Sequence, residues 1–454
     1  MTDLGTGTSL AFYGDDFTGS TDAMEVTAKA GLETVLFTAL PDEALAARFS
    51  GYPVVGMAGT ARARGAAWME AELPARFAFL AATGAPILQY KVCSTFDSAP
   101  EVGSIGRAIE IGRRVSGARL SPVIVGAPQL GRWVTFSTLF ARAGTGGVHR
   151  IDRHPTMSRH PVTPMTEGDL TRHLAAQTER AVTGLALDRL IGPDAAEVLA
   201  ASGESGEIVV LDTYDEASQR AAGRLVWEAR GAGVFSASSS GLQYALVAHW
   251  RAEGALASEP PRFAPLAPTP RLLALSGSCS PVTADQIARA EAAGFAPFRL
   301  DVRAVAGGGG DAEVRRLLEA VRPVLAEDRP ALIFAAKTVD DPAYAGLADH
   351  CRAEGIPFER AQARIGHTLG AIAREAVPAL GLTRLAVAGG DTSGAVVEAL
   401  PVGALELRAP LAPGAPVCLC HSDDPAYAGL EVLLKGGQLG HPDVFTDLAI
   451  GPRG

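Results

Sequence analysis

The chain has 454 residues, 47% hydrophobic and 20% charged, which describes a folded globular protein too long for one ordinary core and suited to two domains. Its formal net charge of −10 cannot furnish a broad basic face, so no nucleic-acid partner is expected, although a small anion needs only a few local cations. No apolar run approaches the roughly 18 residues of a membrane span, and no membrane association is expected. The amino-terminal MTDLGTGTSL has neither a basic nor an apolar signal region, and five scattered cysteines suit a reducing cytoplasm better than a disulfide framework.

In the first part of the chain, strand-like runs recur as SLAFYGD, TVLFTAL, YPVVGMAG, ILQYKVCS, PVIVGAP, EIVVLDTY and VFSASSS. Amphipathic helical runs such as TDAMEVTAKAG, SIGRAIEIGRRV and SQRAAGRLVWEARG lie between them. Such alternation predicts a mainly parallel sheet covered on both faces. SEPPRFAPLAPTP (258–270) carries five prolines and reads as a semi-rigid linker. The pattern then resumes with RLLALSGS, FAPFRLDV, ALIFAAK, TRLAVAGGD and PVCLCH. The expected fold class is α/β: two α/β domains with mainly parallel sheets, at 1–257 and 271–454, with the active site in the inter-domain cleft. Cys418-Leu419-Cys420-His421 has the look of a metal motif. Its alternation inside an apolar run is better explained as a buried strand with two core thiols, and no metal-ligating residues are assigned.

Ligands in open α/β sheets bind beyond the carboxyl ends of strands. In the first domain those positions hold Asp15, Asp16 and Thr18; Gly59, Thr60, Arg62 and Arg64; Lys91, Ser94, Thr95 and Asp97; and Pro128, Gln129 and Arg132. This rim of hydroxyls, carboxylates and cations suits a small polyhydroxy acid. Arg62 or Lys91 would hold its carboxylate, and an aspartate would accept from its hydroxyls or take a proton from the reacting one. Acidic residues near a helix start also serve as plain dipole partners, with Thr18 a good N-cap. Adjacent carboxylates repel, however, and a cap needs only one, so the pair Asp15-Asp16 reads as functional. RIDRHPTMSRHPVTPMTEGDL (150–170) reads as a cationic loop entering a helix at Thr166 or Glu167. Its Arg153, His154, Arg159 and His160 would close over an anion, or else form a solvated connection.

In the second domain, LALSGSCSPVTADQIARA (273–290) and LAVAGGDTSGAVVEAL (385–400) each run from a strand through a glycine turn into a helix, the latter capped near Thr392 or Ser393. LLKGGQLGHPDVF (433–445) adds Lys435 beside Gly436 and Gly437. Glycine turns at helix starts bring backbone N–H groups to an anion. Three in one domain point to nucleotide phosphates, although no G-x-x-x-x-G-K-[ST] loop and no G-x-G-x-x-G after a strand is present.

The stretches GDDFTGSTD (14–22), AGTAR (58–62), YKVCSTFDS (90–98), HPVTPMTEGDL (160–170), SGSCS (276–280), AGGDTSG (388–394) and LLKGGQLG (433–440) span almost the whole chain. In them the chain resembles the bacterial four-carbon acid sugar kinases, which phosphorylate 3-oxo-tetronate, threonate or erythronate with ATP. The loop RHPTMSRHPVTPM is richer in Arg and His than in the tetronate kinases and is closer to kinases of 3-oxo-isoapionate, a branched relative. The resemblance implies a sugar-acid domain (1–257) and an ATP domain (271–454), with Mg²⁺ neutralising the phosphates. It implies a base among Asp16, Asp15 and Asp22, with Asp16 favoured, and Thr18, Gly19, Asp22, Arg62, Lys91, Asp97, Arg159 and His160 around the acid. Ser276, Gly277, Ser278, Gly389, Gly390, Asp391, Thr392, Lys435, Gly436 and Gly437 would meet the nucleotide. The partners are then the two small molecules, with room left for a homo-oligomer. A non-catalytic sugar-acid sensor and a nicotinamide-dependent dehydrogenase are the readings from other classes; the intact glycine turns and the missing dinucleotide fingerprint weigh against them.

Overall fold

The computed structural model describes residues 4, 6–144, 146–160, 163–257 and 259–451. Met1 to Asp3, Gly5, Thr145, Pro161, Val162, Ser258 and Pro452 to Gly454 fall outside it, and with them part of the expectations for the amino terminus, the 150–170 loop and the proline-rich stretch. Among the described residues no helix is long and apolar enough to cross a membrane. The chain forms two compact units, 1–261 and 262–454.

In the first unit the strands are β1 (Leu10–Gly14), β2 (Thr34–Phe37), β3 (Val54–Met57), β4 (Ile87–Lys91), β5 (Ser121–Val123), β6 (Arg132–Thr135), β7 (Thr138–Arg142), β8 (Val148–Arg150), β9 (Val182–Leu185), β10 (Ile208–Leu211) and β11 (Val234–Ser238). The order β11-β4-β1-β3-β2 forms a parallel sheet. Its strands are buried on both faces because helices flank them, and this is why they read as unbroken apolar runs rather than alternating ones. A second parallel set, β5-β10-β9, lies in the same unit. The segment 132–150 folds instead into the antiparallel β6-β7-β8, which the sequence reading missed.

The second unit contains β12 (Leu273–Ser276), β13 (Ala296–Arg299), β14 (Ala331–Phe334), β15 (Arg384–Ala388), β16 (Ala404–Ala412), β17 (Ala415–His421) and β18 (Glu431–Lys435). β18-β15-β12-β14-β13 run parallel, and β16 and β17 add an antiparallel flank. Its core packs Leu272, Ile287, Phe295, Leu332, Val417, Leu433 and Phe445. Cys418 and Cys420 lie buried in β17 as expected.

Three helix starts differ from expectation. Asp16, not Thr18, caps helix Phe17–Lys29: its backbone is extended (φ −145°, ψ 162°) and its carboxylate accepts from Gly19 N–H. The helix after the 150–170 loop spans Leu170–Ala175 and is capped by Asp169, whose carboxylate takes the Thr171 and Arg172 amides. The helix after β15 starts at Gly390, ahead of Thr392 and Ser393, because Gly389 adopts φ +115° and its carbonyl already accepts from Ser393 N–H at 2.8 Å.

Candidate active site

β1 and β4 end side by side, with Gly14 opposite Lys91, and Asp15 N–H donates to the Lys91 carbonyl at 2.9 Å. The turn after β3 brings Arg62 to the same place, its N–H on the Asp15 carbonyl at 3.1 Å. The Arg62 guanidinium then forks across both carboxylates. Nη2 and Nε reach Asp15 Oδ1 and Oδ2 at 2.7 and 3.2 Å, and Nη1 reaches Asp16 Oδ2 at 3.1 Å. Asp16 also accepts from Thr18 Oγ1 and Gly19 N–H, both at 2.9 Å. One cation thus joins two adjacent carboxylates that would otherwise repel.

The two carboxylates are driven apart in acidity. Burial pushes Asp15 up to about 6, against the pull of Arg62. Burial also opposes charge on Asp16, but Arg62, Lys91, the Thr18 hydroxyl and the Gly19 amide together hold it below the usual carboxylate range. Asp16 is therefore firmly ionised, and its side chain is the more open of the two, 19% exposed against 5%. Asp22, one turn along the helix, is raised by burial, with the Lys91 ammonium and Ser240 hydroxyl opposing. Gly19 is required by proximity: a Cβ there would stand 2.2 Å from Lys91 Nζ and 2.3 Å from Asp16 Oδ1.

The loop after β4 turns through Phe96, a buried residue in the left-handed region (φ +57°), and so delivers Asp97 to the Thr95 hydroxyl at 2.5 Å. Thr163 Oγ1 lies 3.5 Å from the other Asp97 oxygen, and His160 Nδ1 accepts from Thr163 N–H at 3.1 Å. His160 is thereby tied to this cluster, whereas Arg159 is exposed. Two groups of residues here were not singled out in the sequence. Ser98 meets His173 Nε2 and Gln177 Nε2 at 2.8 and 2.9 Å. The buried Ser238-Ser239-Ser240 run ends β11 beside Lys91. Serines stacked at the end of an apolar strand were the available signal.

In the second unit the three glycine turns converge. Ser276, Ala388 and Lys435 are register neighbours at the ends of β12, β15 and β18. Gly277 N–H donates to the Ala388 carbonyl (3.2 Å) and Gly389 N–H to the Lys435 carbonyl (2.9 Å). Space is tight: a Cβ on Gly277 would lie 2.1 Å from Thr392 Oγ1, and one on Gly437 2.6 Å from Ser278 Oγ. Among the described residues the buried hydroxyls of Ser276 and Ser393 have no partner. Gly390 begins the helix, Asp391 is exposed in its first turn, and Gly436 is half-buried beside Gly437. Lys435 is wholly buried beneath the turn, its ammonium 3.1 Å from Thr283 Oγ1, and burial lowers it to about 7. Thr283 Oγ1 in turn donates to the Gly437 carbonyl (2.8 Å), and Gln286 Nε2 donates to the carbonyls of Leu439, Gly440 and His441, each at 3.1 Å. Backbone N–H groups and two helix starts gathered at parallel strand ends, with no acidic side chain buried among them, suit a polyphosphate.

The aspartate-rich rim of one unit has the chemistry to suit a polyhydroxy compound, and the glycine cradle of the other has the chemistry to suit a phosphate-bearing one. Residues 10–246 match the model of a sugar-binding N-terminal domain, and residues 273–445 that of a nucleotide-binding C-terminal domain. The chain is 50% identical to the 3-oxo-isoapionate kinase of Paraburkholderia graminis over 97% of its own length and 93% of that protein. It is 31% identical to the 3-oxo-tetronate kinase of Burkholderia multivorans, covering 96% and 95% of the two chains. A crystal structure from Salmonella typhimurium LT2 superimposes with a TM-score of 0.74 at 25% identity, over 96% of this chain and 98% of that one. The chain belongs to the four-carbon acid sugar kinase family.

Proposed function

We propose that this chain transfers the γ-phosphoryl group of ATP to a hydroxyl of 3-oxo-isoapionate or a closely related small sugar acid. The observation that carries the reading is the 50% identity to a 3-oxo-isoapionate kinase across nearly the whole chain. The Asp15–Arg62–Asp16 cluster in the sugar-binding portion supports it. In this reading residues 1–257 hold the acid, residues 271–454 hold the nucleotide, 258–270 links them, and transfer takes place in the cleft where the two ligands meet.

Phosphoryl transfer asks a protein chiefly for positioning and charge stabilisation. Asp16 accepts the hydrogen bond of the reacting hydroxyl and then its proton. Its low basicity is no obstacle in a loose transition state, where orientation counts for more. Asp15 holds Arg62, and Arg62 fixes Asp16. Asp22, Lys91, Thr18, Gly19 and Asp97, the last steadied by His160 through Thr163, take the other polar groups of the acid, and Arg159 approaches from the loop. The backbones of Gly277, Ser278, Gly389, Gly390, Gly436 and Gly437 receive the phosphates. The hydroxyls of Ser276 and Thr392 lie alongside, and Lys435 supports the turn from beneath. Mg²⁺ would neutralise phosphate charge, and the exposed Asp391 in the first turn of the helix after β15 would help to hold it.

The test is ADP release coupled to ³¹P NMR of the product. 3-Oxo-isoapionate should be phosphorylated with a kcat/KM at least roughly 10-fold above that of 3-oxo-tetronate, the discrimination a shaped pocket gives for a small difference in substrate. Absence of sugar-dependent ADP release with either acid would overturn the proposal.

A further inference from the structure

The substrate side sets four carboxylates, Asp15, Asp16, Asp22 and Asp97, against two cations, Arg62 and Lys91, and both cations lie among the carboxylates. Such a cluster suits hydroxyls, whose protons it accepts. It repels a further carboxylate. A sugar acid bound there needs a cation outside the cluster for its own charge.

Arg132 meets that need. It opens β6, just after the turn that leaves β5. Ile124 N–H donates to Ser238 Oγ (2.7 Å) and Ser239 N–H to the Ile124 carbonyl (3.1 Å). The segment leaving β5 therefore follows the end of β11, where Ser238 pairs with Lys91. Among the described residues no carboxylate pairs with Arg132. Its Nη1 donates to the carbonyls of Leu130, Gly131 and Arg142 at 3.1, 3.0 and 3.3 Å. Its Nε is buried without an acceptor. The titratable groups that act on it electrostatically are the Cys93 thiol of the YKVCSTFDS loop and the His154 imidazole, neither an anion at neutral pH. Burial accordingly depresses the Arg132 pKa, where Arg62, beside its two aspartates, is raised. A desolvated guanidinium pinned through one nitrogen, with its other edge unused, is set for a bidentate carboxylate. Left without a counter-charge, it is a cost to the fold.

We infer that Arg132 receives the carboxylate of the sugar acid through its Nε–Nη2 edge and thereby separates acids from neutral analogues. This rests on the sugar-acid kinase reading above. Calorimetry in the presence of a non-hydrolysable ATP analogue tests it, with 3-oxo-isoapionate and its primary amide as probes on wild type, Arg132→Gln and Arg132→Lys. Wild type should prefer the acid. Arg132→Gln should lose roughly 10- to 100-fold in affinity for the acid, the weight of a charged hydrogen-bonded pair. It should bind amide and nucleotide as before. Arg132→Lys, which keeps the charge and loses the fork, should fall between the two, and it decides the matter if the glutamine variant does not fold. A folded variant with acid affinity and acid-over-amide preference unchanged overturns the assignment of Arg132. A wild type that binds neither 3-oxo-isoapionate nor 3-oxo-tetronate overturns the sugar-acid reading itself, and this inference with it.

Discussion

The rim of the first unit and the cradle of the second are both built at the carboxyl ends of parallel strands, yet they are made of different material. The rim is side-chain chemistry: Asp15, Asp16 and Arg62 hold one another by ionic hydrogen bonds between residues 46 and 47 positions apart. The cradle is backbone: Gly277, Gly389 and Gly437 leave room, and its one lysine is folded under the turn with an ammonium that burial brings down to about 7. The contrast fits the proposed ligands. A polyphosphate can be recognised by many amides whatever the side chains, whereas an acid with several hydroxyls must be read group by group.

The sharpest way to break this comparison is Asp16→Asn. If the rim does the chemistry, the variant should retain its fold and nucleotide affinity while losing roughly 10²- to 10⁴-fold in kcat. Single-turnover assay and binding of an ATP analogue, measured on one preparation, check it. Loss of both together would mean that Asp16 serves mainly as the cap of its helix.

A paired substitution sharpens the division of labour. In Gly277→Ala the new Cβ would meet Thr392 Oγ1 at 2.1 Å, so the KM for ATP should rise by roughly 10- to 100-fold while the sugar acid binds normally. In Gly19→Ala the Cβ would meet Lys91 Nζ and Asp16 Oδ1, and the reverse pattern is expected, with weakened sugar-acid affinity and an unaltered nucleotide constant. Crossed effects in either variant would erase the distinction.

The mildest effect is with pH. Ionised Asp15 holds Arg62, and its carboxyl is raised from 3.8 to about 6, so kcat/KM for the sugar acid should fall about tenfold per unit below that value. Stability moves the other way for this group. The folded state takes up the Asp15 proton more readily than the unfolded chain. Its contribution is therefore fully present below 3.8 and is lost as pH rises through about 6. Activity should thus decline between pH 6.5 and 5 without a fall in melting temperature attributable to Asp15. An acid limb that tracks unfolding instead would show that the rim is not what titrates.

Much of this was legible in sequence because parallel strands buried on both faces leave continuous apolar runs, and whatever polar residue follows a run lies at the ligand edge. That logic singled out Asp15, Lys91, Ser276, Gly389 and Lys435, all of which the structure sets at or just after the ends of parallel strands. It offered Arg62 or Lys91 for the substrate's carboxylate and did not foresee that Arg62 engages Asp15 and Asp16, since pairing across 47 residues leaves no local trace. It missed β6 to β8, whose alternating strands RWVT, TLFAR and VHR are only partly buried and carry Arg and His where a core strand would carry Val or Ile. The cap of helix Phe17–Lys29 was misplaced by two residues because Thr18 and Asp16 are both good capping types. Only the extended backbone of Asp16 decides between them.

The clasp between Thr283, Gln286 and residues 437–441 closes over 153 to 155 positions of chain. During synthesis the first glycine turn and its helix emerge long before the segment they must grip. A ribosome-bound chain that stops short of Lys435 carries two turns and lacks the third, along with the strand that completes their row. The row of three turns is therefore completed only once Lys435 and the segment after it have been made, well after the residues of the first unit.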